Sequence, residues 1–232
     1  MQPGPLLFLS IITLVFATGV LGGEQKKVPS EAEIRQLVDR LKSANPRPIT
    51  GDEDESEAPE YRLPPGFDRK KQEPVHAART QLRKIGSAAF PFLVEKWDDE
   101  SYSITTSHGL SGYCENQTVG EVCQTILYDQ LQPYSYWPKT DDDPREKPRR
   151  PSYPITFLAS QEAAKKWIEK NKHKSLRDMQ LEVLDWVISE EAKRAADYTD
   201  EERKALKGLR NRLAAERNPL PPGNYDLVDI EE

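Results

Sequence analysis

Proline placement limits this chain more than any other feature. Twelve of its 19 prolines fall in two stretches, residues 43–74 and 133–156, each holding six. Proline lacks a backbone donor and fixes its own φ, so neither stretch can become a long helix or a central strand. Regular structure is therefore confined to residues 24–43, 74–132 and 157–217. Only 36% of the 232 residues are hydrophobic and 31% are charged. The first 23 residues take 13 of those hydrophobics and carry no Lys, Arg, Asp or Glu. What remains is too poor in apolar side chains for a large buried sheet, which excludes a big α/β enzyme domain. The formal charge of −6 and a pI near 5.3, with no long basic run, exclude the electrostatic footprint of a nucleic-acid binder.

Residues Leu6–Leu21 are almost wholly apolar and end at Gly22-Gly23, ahead of the charged Glu24-Gln25-Lys26-Lys27. About 16 apolar residues are short for a membrane span and suit a secretory leader. Residues 1–23 are read as a signal peptide, which places the chain in a secreted or periplasmic compartment with no membrane contact once the leader is removed. A retained N-terminal anchor is the alternative, because no Lys or Arg precedes Leu6 and no A-x-A pattern precedes Gly22.

Capping pairs then mark the helices. Ser30 with Glu33 opens an amphipathic helix bearing Ile34, Leu37, Val38 and Leu41, within an N-terminal segment 24–43. Residues 44–73, with their prolines and the acidic run Asp52–Glu55, read as a flexible linker. A helical domain over 74–217 follows. Val75, Ala78, Leu82 and Ile85 share one face, Gly86 offers a left-handed stop, and Phe90, Leu93, Val94 and Trp97 mark a partner helix. Thr118 with Glu121 caps a helix bearing Val119, Val122, Cys123, Ile126 and Leu127. Ser160, Ser175 with Asp178, and Thr199 with Glu202 open three more, the middle one carrying Met179, Val183, Leu184, Trp186 and Val187. Strand-like alternation never exceeds four or five residues. The expected fold class is all-α: a small irregular domain of antiparallel helical hairpins with a long Pro/aromatic loop at 133–156 and a loose tail at 218–232.

The run Ala77-Ala78, Leu82, Ile85-Gly86, Ala89, Pro91, Leu93, Trp97 and Asp99 resembles one HEAT-like repeat over about 25 residues. The wider layout, through VGEVC at 119–123, RRPSY at 149–153 and KSLRDMQLEVLDW at 174–186, is similar to predicted secreted proteins of planctomycete-type bacteria, a resemblance that brings no activity with it. The HEAT likeness implies binding through a helical surface, with another protein as partner.

Residues able to carry chemistry are few. The three histidines, His76, His108 and His173, lie on separate elements without metal-ligand spacing, so no metal and no cofactor are expected. His108 stands between Ser107 and Ser111 in a Gly-containing loop where a hydroxyl could meet an imidazole, with Asp98 or Asp99 to orient it. That pattern makes a hydrolase the rival reading, with a flexible connector as the plainer one. Asp141–Asp143 are consecutive and precede Pro144, which suits a solvated run better than a calcium loop. Tyr134, Tyr136 and Trp137 either cover the core or stack on a sugar or Pro-rich ligand, giving a carbohydrate- or wall-binding alternative. Asn116-Gln117-Thr118 matches a glycosylation sequon. Cys114 and Cys123 are candidates for a disulfide closing a ten-residue loop. The alternative is a buried thiol at Cys123 with Cys114 exposed.

Overall fold

The computed structural model describes residues 29–50, 62–108, 114–131, 158–193, 200–220 and 227–229. The leader, the acidic run 52–55, the aromatic loop residues Tyr134, Tyr136 and Trp137, and Asp141–Asp143 lie outside them. No helix among the described residues is long and apolar enough to cross a membrane.

Helices form where the described capping pairs place them; Thr199, the cap expected ahead of the last helix, lies outside the described residues. In α1 (Glu31–Asp39), Ser30 Oγ accepts from Glu33 N at 3.3 Å while Glu33 Oε2 accepts from Ser30 N at 2.6 Å, a reciprocal box. Its face Ile34, Leu37 and Val38 is buried, as is Leu41 beyond its end. A short 3₁₀ turn, Arg69–Lys71, leads into α2 (Glu73–Ile85). That helix stops at Gly86, whose φ of +76° is the left-handed value glycine tolerates, with its N–H returning to Leu82 O. A second 3₁₀ turn, Gly86–Ala89, leads to α3 (Phe90–Glu95), with Pro91 in the first turn where no donor is needed. The remaining helices are α4 (Val119–Leu131), α5 (Gln161–Asn171), α6 (Leu176–Lys193) and α7 (Asp200–Ala215). Thr118 and Glu121 cap α4 reciprocally, at 2.7 and 3.2 Å. Ser160 accepts from Ala163 N ahead of α5, and Ser175 from Asp178 N ahead of α6.

The fold is nevertheless not all-α. A three-stranded antiparallel sheet, in the order β2-β1-β3, joins β1 (Tyr102–His108), β2 (Cys114–Thr118) and β3 (Leu227–Asp229). Along β1 the pairs with β2 run from Tyr102↔Thr118, past an irregularity before Ile104, to Ser107↔Cys114. Its other edge pairs Thr106↔Asp229, Ser107↔Val228 and His108↔Leu227. The sheet escapes an alternation rule because β1 buries Tyr102, Ser103, Ile104, Thr105 and Thr106 in succession. With both faces covered, and hydroxyls in place of half the apolar residues, no apolar-polar beat remains.

The expected chain of helical hairpins gives way to a shared centre. Across the Gly86–Ala89 turn, α2 packs chiefly on α1 and α4, while α3 packs on α4 and α5. One cluster gathers Leu37 and Leu41 with Leu82, Phe90, Ile104, Ile126, Trp167 and Met179, so the N-terminal helix belongs to the same core as the rest. A smaller cluster of Leu184, Leu209, Leu213 and Leu220 fixes α7 to α6.

Two segments expected to be loose are held in place where they are described. Ile49 and Arg62 exchange both backbone hydrogen bonds at 3.0 Å, closing the base of the linker, and Asn45 is buried. In the tail, Leu220 N donates to Gln180 Oε1 at 2.9 Å, and Gln180 Nε2 donates to Leu220 O at 3.0 Å. A fully buried glutamine amide thus binds both backbone polar groups of one residue, and β3 pairs with β1 further on. In both segments, polar side chains supply the attachment that an apolar count does not register.

Candidate functional site

Of the region singled out for chemistry, residues 107–111, the first two belong to the sheet and the other three lie outside the described residues. Ser107 and His108 occupy the last two positions of β1, and their backbones pair with β2 or β3. Ser107 and His108 are therefore strand residues rather than loop residues; Gly109 to Gly112, with Ser111, lie outside the described residues. Asp99, a candidate to orient the imidazole, is engaged elsewhere. Its Oδ1 accepts from Ser101 N at 3.0 Å and its carbonyl accepts from Gly120 N at 2.9 Å. Partial burial pushes the carboxyl up, but the Ser101 hydrogen bonds and the Lys96 charge outweigh it and hold the group below its ordinary range. Asp99 thereby ties the entry of β1 to the first turn of α4.

The start of β1 is pinned by a buried polar network that sequence reasoning missed. Gln72, fully buried ahead of α2, accepts from Ser43 Oγ at 2.7 Å and from Asn45 Nδ2 at 3.1 Å, and donates from Nε2 to Ser103 O at 2.5 Å. Asn45 also exchanges hydrogen bonds with the Asp68 backbone, at 3.0 and 2.9 Å. Ser103 Oγ donates to Leu41 O at 2.6 Å, and Ser43 N donates to Tyr102 O at 2.9 Å. Every member is partnered, so the network fixes one arrangement of α1, α2 and β1 rather than weakening the core. The only sequence signal was a Gln just before a capless helix with Pro74 in its first turn.

The sequon has a structural use instead. Asn116 Oδ1 accepts from Thr105 Oγ1 at 2.7 Å and its Nδ2 donates to Pro48 O at 2.8 Å, which ties β2 to β1 and to the linker. An amide occupied at both ends is a poor glycan acceptor. Thr105 Oγ1 also lies 2.9 Å from the Tyr102 hydroxyl, extending the stitching along β1.

Cys114 and Cys123 are both buried thiols, on β2 and α4. The segment that a bridge would close is a strand followed by a helix: β2 alone carries Cys114 about 13 Å from Thr118. A disulfide needs Cα atoms within about 7 Å, so α4 would have to fold back along β2. The alternative of an exposed Cys114 is corrected too, because the strand turns that residue into the protein. Burial pushes both thiols up, Cys123 to about 12, where the negative charge of Asp99 adds to the effect and Lys96 opposes it.

Elsewhere, α4 carries polar residues on its inner side. Arg83 Nη2 donates to Asp129 Oδ2 at 2.5 Å, the aspartate being fully buried and the arginine half-exposed. Beside it, Gln130 O accepts from Gln180 Nε2 at 2.7 Å, joining α4 to the clamp on Leu220. His76 lies on α2, His108 on β1 and His173 in the turn between α5 and α6. Among the described residues no group of three or more His, Cys, Asp or Glu is placed to hold a metal. Among the described residues the apolar pair left most open is Ile49 and Leu63, at the base of the linker.

The arrangement closest to a binding device is thus the outer edge of β1: a strand fixed at its start by Gln72 and Ser43, along one side by β2, and filled on the other side by three residues of the chain's own C-terminal region. No family model, curated protein or solved structure matches the chain.

Proposed function

We propose that the chain is an exported, mainly helical module that binds another protein and carries out no reaction of its own. The observation that carries this reading is the outer edge of β1, which accepts an extended segment, Leu227–Asp229, by strand addition. Main-chain pairing at a sheet edge is a general means of holding a peptide. The apolar leader supports export. The acidic balance speaks against nucleic acid as the partner. Against the hydrolase rival, Asp99 spends its carboxylate on Ser101.

The test uses the chain without residues 1–23 as immobilised bait in the exported fraction of its source cells. Recovery of one protein that binds the purified chain again, with a Kd of micromolar or tighter, is the expected result. Turnover of a peptide, ester or glycoside panel with no such protein recovered would overturn the reading.

A further inference from the structure

We draw no further inference here: the strongest candidate, the exposed apolar pair Ile49 and Leu63 at the base of the linker, carries nothing, because nothing in the structure shows what covers it.

Discussion

Gly120 shows how one missing side chain can set the distance between two elements. A Cβ added there would lie 2.2 Å from Trp97 O and 2.9 Å from Trp97 C, both backbone atoms that no rotamer change can move aside. The first turn of α4 therefore sits directly on the chain leaving α3, and Gly120 N completes the contact by donating to Asp99 O. Gly120→Ala should cost about 3 kcal/mol, the upper end for overpacking, although alanine is the better helix former. Chemical denaturation measures this, and a stability equal to or above wild type would show that the two elements are not in contact. Cys123 belongs to the same scale. Its folded-state pKa is raised to about 12, so the folded chain keeps a proton that the unfolded chain releases above its ordinary value of 9. The stabilisation is whole below pH 9 and is lost as pH rises towards 12. Between pH 9 and 11 the wild type should therefore lose up to about 1.4 kcal/mol per pH unit more than Cys123→Ala does. Parallel profiles for the two would place the thiol in water. Alkylation of the denatured, unreduced protein should add two labels, since both thiols are unbridged.

At the scale of elements, the same physics decides what the sequence revealed and what it concealed. Helices were legible because their signals are local: Ser30 with Glu33, Thr118 with Glu121 and Gly86 each act within one turn of the residues they control. Sheet pairing is not local. β1 reads Tyr-Ser-Ile-Thr-Thr-Ser-His, and it is made a strand by the burial of both faces and by partners as distant as Leu227. β2 reads Cys-Glu-Asn-Gln-Thr, with no apolar stripe, and is fixed by Asn116 reaching Thr105 and Pro48. For the same reason residues 44–50 and 62–73 looked detached: their attachment is polar, through Asn45 and Gln72, whereas composition registers mainly apolar burial. The candidate Ser107 and His108 were visible as residue types, but their place in a ladder was not. Gln72→Leu tests how much the polar attachment matters, because it keeps side-chain volume while leaving Ser43 Oγ, Asn45 Nδ2 and Ser103 O without that partner. The expected loss is about 3 kcal/mol. A change under about 0.5 kcal/mol would show that water replaces the glutamine and that the segment is not buried.

For the whole molecule, the question is whether α1 folds with the rest or is carried separately at the end of a linker. Proline and acid content suggested a separate helix, whereas the packing makes it part of the core. Ile34, Leu37, Val38 and Leu41 share a cluster with Val75, Leu93, Ile104 and Leu127, and α1 packs on both α2 and α3. Arg35 reinforces the contact, pairing with Glu95 and lying 4.6 Å from the centre of the Phe92 ring. Being exposed, that ion pair adds little, and the joining energy resides in the buried aliphatic residues. Leu41 is the sharpest probe. It lies just past the end of α1, is fully buried, and its carbonyl accepts from Ser103 on β1. Leu41→Ala should therefore lower the stability of the entire chain by about 3 kcal/mol, within the usual range for a buried leucine. The readouts are the unfolding curves followed by helical circular dichroism and by tryptophan fluorescence, to which Trp97 and Trp167 contribute from α3's end and α5. If one core spans the linker, both curves shift together and remain a single transition. A variant that melts α1 early while the fluorescence midpoint stays at the wild-type value would divide the molecule at the linker and remove α1 from the core.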